Sequence, residues 1–177
     1  WEMEQVVPGS AVTLRWEDDP ILEAVALGNA GYIDDAESLL GDLLTADLRC
    51  LDAHAHLGNL ELRRRWPGSL DRAARHFRAG LEIADLSLGV GFQDVLPWGL
   101  IDNRPYLRCL HGYGLALWQR GETGAAAQVF RRMLWLNPDD NQGARFLIAP
   151  AEAGLSWEAI EEQGRERDAP GLLDEST

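Results

Sequence analysis

Lysine is absent from this chain: all sixteen basic residues are arginine, set against twenty-nine acids. The formal net charge of -13 repels a phosphate backbone instead of releasing its counterions, which argues against nucleic acid as a general partner. Cysteine is scarce. Cys50 and Cys109 lie far apart and lack the C-x-x-C spacing of a zinc or redox site, so reduced structural thiols are expected, with a disulfide between them left open. No apolar run approaches the length of a membrane span, and residues 1–8 carry two glutamates and no basic or apolar stretch of a secretion signal. The expectation is a cytoplasmic protein with no membrane partner. The low hydrophobicity of disordered chains is missing too: 46% of the residues are apolar and 25% charged. At 177 residues the chain is long enough to bury one core without a disulfide or a metal. It opens at Trp1 without an initiator methionine, and a piece of a longer protein is expected.

Catalytic and metal-binding patterns are lacking as well. Ser10, Ser38, Ser69, Ser87 and Ser156 stand in no G-x-S-x-G or S-x-x-K context. Gly89 and Gly91 have no strand before them and neither a third glycine nor a lysine after, which discards a phosphate loop. Cys50 and His54 are four apart, a helical spacing able to share a metal, but His56 points away from His54 and no closing pair follows. Cys109 and His111, two apart, face different directions on a helix. No enzyme, no cofactor and no metal are expected.

What is present is a period. In "LRCLHGYGLALWQRGETGAAAQVFRRMLWLNP", Gly114 is followed after twelve residues by Ala126, after four more by Phe130 and after eight more by Pro138, with Gly121 at the bend. A small residue at Gly114 lets two helices approach, Ala126 faces it, and Phe130, one turn on, fills the space beside the next hairpin. Gly121 tolerates a positive φ, and Pro138 opens the following helix where its missing N–H costs nothing. The grid recurs upstream at Ala24, Gly31, Ala36 and Leu40, and Gly58 lies 34 residues beyond Ala24. A second unit keeps Leu57, Gly58, Ala73 and Phe77, with three extra residues in the turn around Trp66, Pro67 and Gly68. A last, partial unit has Gly154 and Ala159 and turns polar at Gln163, as a capping repeat must.

These residues resemble the tetratricopeptide repeat (TPR) family. "LPWGLIDNRPY" followed by "LNPDDNQG" is also similar to a set of bacterial TPR proteins that supply no activity by analogy. The resemblance implies an all-α fold, a right-handed superhelical stack of about four helical hairpins. The expected helices are Pro20–Ala30, Asp34–Ala46, Leu51–Arg64, Leu70–Leu86, Pro105–Arg120, Thr123–Leu136, Asn141–Ala151 and Trp157–Arg167. The domain plan is an extended segment over 1–16, with a strand at Ala11–Trp16, a repeat domain over 17–168, and an acidic tail over 169–177.

The roughly twenty residues "SLGVGFQDVLPWGLIDNRPY" stand where the family has two or three. This insertion, 87–104, is too apolar to wave in water and is expected to pack on the stack, either as a plug over hairpin surface or with Phe92 and Trp98 as a groove wall. The family's inward positions fall on His56, Asn59, Arg63, Arg108, His111, Leu115, Gln119 and Arg145. That lining is more basic than the whole protein. It implies a protein or peptide partner, an acidic or carboxylate-bearing segment held by forked arginine hydrogen bonds. The alternative is a regulatory or architectural helical-repeat domain whose groove is filled by its own loop or termini. The basic cluster Arg63, Arg64, Arg65, Arg72, Arg75 and Arg78 is expected to be solvated arginines paired with nearby acids.

Overall fold

Asp19 accepts a hydrogen bond from the Ile21 N–H at 2.8 Å and Pro20 supplies the first helical residue, so α1 (Pro20–Ala30) starts with one orphan donor capped and another removed. Gly31, at φ 91°, ends it in the left-handed region. In the computed structural model, which describes residues 1–8 and 19–168, α1 is followed by α2 (Ile33–Ala46), α3 (Leu51–Arg64), α4 (Ser69–Leu88), a 3₁₀ turn (Ile101–Asn103), α5 (Arg104–Gln119), α6 (Thr123–Leu136), α7 (Ala144–Glu152) and α8 (Trp157–Asp168). The described residues are all-helical and contain no strand. The strand expected at Ala11–Trp16 and the tail 169–177 lie outside the described residues. None of the helices is long and apolar enough to cross a membrane.

The main differences from expectation are at helix ends. α4 runs two residues further, to Leu88, and α7 begins at Ala144 instead of Asn141, because Asp140 takes the left-handed region (φ 51°) and accepts from the Ala144 and Arg145 N–H groups. The segment Pro138–Gly143 is thereby a turn that delays the helix.

Each helix from α1 to α7 packs on the next, and the first helices α3 and α5 also lie side by side. Glycine and phenylalanine set that closeness. The Phe77 ring on α4 is fully buried between Gly58 of α3 and Gly112 of α5: a Cβ built on Gly58 would stand 2.5 Å from the ring, and one on Gly112 only 2.2 Å. Phe130 repeats the contact against Gly114 between α5 and α6, where a built Cβ would stand 2.5 Å from the ring, and a Cβ on Gly80 would stand 2.6 Å from the Cys109 sulfur. Ala36, Ala73, Ala84 and Ala126, all 0% exposed, are the small partners around these crossings. Cys50 and Cys109 are both free and buried, and burial pushes both thiols above their ordinary pKa.

The three additional residues between α3 and α4 make a wider turn. Arg65 (φ 51°) and Gly68 (φ 77°) take left-handed backbone, the Ser69 hydroxyl donates to the Trp66 carbonyl, and buried Glu61 is held at the base by both arms of Arg72 at 2.7 and 2.9 Å. A carboxylate that deep is tolerable because both oxygens are satisfied by a fork of matching geometry.

Gly112→Ala and Gly114→Leu should each destabilise the protein by about 2 kcal/mol or more, since overpacking a tight crossing forces the helices apart. Gly41→Ala, where an added Cβ meets nothing within 4 Å, should be neutral or stabilise slightly through helix propensity. Urea denaturation of the three variants checks this; unchanged midpoints for Gly112→Ala and Gly114→Leu would contradict the packing.

Candidate functional site

The first turns of α1, α3 and α5 open onto one depression of about 430 Å³. Ile21, Leu22 and Val25 form its apolar side, and Asp52, His56, Arg104 and Arg108 its polar side. Spacing explains the grouping: Asp52 and His56 are four apart on α3, and Arg104 and Arg108 four apart on α5, so each pair shares one face of its helix.

Within the depression the charges are paired. Arg108 grips both oxygens of Asp52 from Nη1, at 2.6 and 2.8 Å, and His56 Nε2 lies 3.6 Å from the same carboxylate. Arg104 Nε donates to the Trp98 carbonyl at 3.0 Å, and the guanidiniums of Arg104 and Arg108 stand 5.3 and 5.8 Å from the Trp98 ring centre. Trp98 thus stands beside the arginines of this site and covers them from the side. The insertion is anchored beneath it: Leu96 is fully buried and its N–H donates to the Leu136 carbonyl, while the Trp98 N–H donates to buried Asn137. Phe92 packs on the main core and stands edge-on to Trp1 at 6.2 Å, away from the depression.

The remaining inward candidates are dispersed. Arg63 donates to the Gly28 carbonyl at 3.2 Å and ties α3 to the last turn of α1. Asn59 is half-buried on α3, and Leu115 packs against the main core. His111 lies beside the Phe130 ring, 6.2 Å between centres. Arg145 turns back to Asp140 at 2.7 Å and to the Pro138 carbonyl, so its charge serves the start of α7. Gln119 lines a separate depression of about 230 Å³, together with Arg65 and Trp66 of the α3–α4 turn and Trp157 and Glu161 of α8. There α8 reaches back along the stack: the Trp118 indole donates to the Leu155 carbonyl, Trp157 packs edge-on to Trp118 at 5.6 Å, and Arg65 pairs with Glu161.

The basic cluster is largely neutralised in place. Arg64 bridges Asp34 and Glu37 of α2, Arg72 holds Glu61, and Arg78 meets Glu82.

Sequence reasoning missed residues 5–7. Gln5, Val6 and Val7 line the α1–α3–α5 depression from outside the helices. Only a lack of helical period marked that segment, and nothing local signalled where it docks. Among the described residues no three of His, Cys, Asp and Glu are grouped as metal ligands. No family model matches the chain, and no curated protein matches it.

Burial holds His54, His56, His76 and His111 below the ordinary imidazole value of 6.5; at His56 the Asp52 carboxylate opposes this and Arg108 adds to it. With folded values depressed, the unfolded chain takes up protons first as pH falls through about 6.5, so stability present above that pH is lost below it. The urea midpoint should therefore be lower at pH 5.5 than at pH 7.5, a window above most carboxylate titrations. An equal midpoint would mean that these imidazoles are hydrated.

Proposed function

We propose that the chain is a non-enzymatic helical-repeat interaction domain of the tetratricopeptide type, a right-handed superhelical stack. In this reading it is a regulatory or architectural unit of a larger bacterial, cytoplasmic protein whose inner groove is occupied by its own chain. One observation carries this. The depression where three first helices meet is lined by Gln5, Val6 and Val7 and flanked by Trp98, and its arginine is already paired with Asp52. The Gly58, Ala73 and Phe77 contacts and the sequential packing of α1 to α7 support the repeat reading. The return of α8 to the α3–α4 turn closes the Gln119 end in the same way.

A second reading is favoured by the gathering of His56, Arg104 and Arg108 at one depression: an open groove that grips an acidic or carboxylate-bearing segment. It requires Arg108 to leave Asp52. The two readings part in a double-mutant cycle with Arg108→Ala and Asp52→Ala. Self-occupation predicts a coupling of about 1 kcal/mol or more in folding stability, the upper range for a partly exposed pair, because the guanidinium is a structural clamp. Coupling near zero, with an acidic peptide losing affinity to Arg108→Ala, would support the open groove instead.

A further inference from the structure

Asn103 closes the 3₁₀ turn before α5 and is fully buried. Its side-chain oxygen accepts from the Met3 N–H at 2.8 Å, and its side-chain nitrogen donates to the Trp1 carbonyl at 2.8 Å and the Pro97 carbonyl at 3.1 Å. One planar amide therefore reads the C=O of one residue and the N–H of the residue two further on, the pair that a neighbouring β-strand would engage. Both are main-chain groups, so the clamp recognises any extended segment whatever its side chains at those positions.

Selectivity comes from the alternation that an extended backbone imposes. Glu2 and Glu4 are exposed, while Met3 between them is 8% exposed and belongs to the main core with Leu51, Leu81, Ala84 and Leu96. The slot thus takes an unbranched apolar anchor and leaves its neighbours on either side facing solvent. A depression of about 650 Å³ opens beside Met3, lined also by Ile83, Leu88 and Phe92. The segment itself has no helix or strand, and its other anchors include the Trp1 nitrogen to the Val95 carbonyl, the Trp1 indole to Asp94, and Gln5 to the Asp102 carbonyl.

We propose that the Asn103 slot is a recognition site for an extended peptide with an unbranched apolar anchor flanked by solvent-facing residues, and that residues 1–7 fill it in cis as an exchangeable pseudo-ligand. A partner segment of the same pattern gains the slot by displacing them. This rests on reading the chain as an interaction domain only in taking the incoming ligand to be a peptide; Asn103 clamps residues 1–3, and residues 5–7 of the same segment run on to line the Arg108 depression. A segment of the same chain competes at an effective concentration on the order of millimolar, so the wild-type chain binds such a peptide weakly until the cis segment is loosened.

The test uses the full chain and a fluorescently labelled synthetic peptide of residues 1–8, read by anisotropy. Met3→Asp places a charge in the apolar hole and should free the slot. The peptide should bind this variant at least tenfold more tightly than wild type, and the same peptide carrying Met3→Asp should not bind. Adding Asn103→Ala should weaken binding at least tenfold, whereas adding Arg78→Ala, which removes an exposed ion pair with Glu82, should leave it unchanged. If circular dichroism shows that Met3→Asp has lost its helices, Met3→Ala serves with the same outcomes. Equal binding to wild type and the freed variant, or none to a folded one, overturns the proposal. Loss with Arg108→Ala and not with Asn103→Ala also overturns it, and would place the peptide in the open groove.

Discussion

The Phe77 ring occupies a place that only hydrogen can face, from Gly58 on one side and Gly112 on the other. That constraint fixes how near α3 and α5 lie, and much else follows from it. With the two first helices side by side, Asp52 on α3 comes within reach of Arg108 on α5, and His56 joins them. With α4 wedged behind, its C-terminal end carries Leu81 and Ala84 toward the place where Met3 is buried. The packing is steric and unforgiving in a way that charge pairing is not, because a methyl group at either glycine has nowhere to go.

Around this core the protein manages a large excess of acid with few bases. Its arginines work mostly as fasteners: Arg64 joins α3 to α2, Arg72 satisfies buried Glu61, Arg65 holds α8, and Arg145 secures the start of α7. A guanidinium that already shares a carboxylate offers little to a second one. This is why the arginines implied by the repeat pattern serve folding contacts first, and why the neutral amide of Asn103, bound to main-chain groups alone, is the proposed recognition element.

The helices and their small-residue grid were legible in the sequence because they depend on spacing alone. Gly114, Ala126 and Phe130 fall at helical intervals, Pro20 and Gly31 punctuate α1, and the eight expected helices lie where the structure has them to within a few residues. Gly112, the tighter contact, went unremarked beside Gly114, since its partner Phe77 belongs to the preceding hairpin and no local period joins them. Residues 1–7 were opaque for a stronger form of the same reason. "EMEQVV" carries no amphipathic period, and its docking depends on Asn103, one hundred residues from Met3, at the end of the connection between α4 and α5. Arg145 misled because its position matched an inward site while Asp140, five residues earlier, offered a closer carboxylate.

Residues 1–7 dock on the folded chain through Asn103, and the Met3 amide reports on that docking directly. That N–H is buried against Asn103 Oδ1 in the self-occupied state and would face water if the segment were free. Native-state hydrogen exchange at neutral pH should show the Met3 amide protected at least about a hundredfold relative to an unstructured peptide, and Asn103→Ala should remove much of that protection. Exchange of the Met3 amide at the free-peptide rate in the wild-type chain would contradict the account.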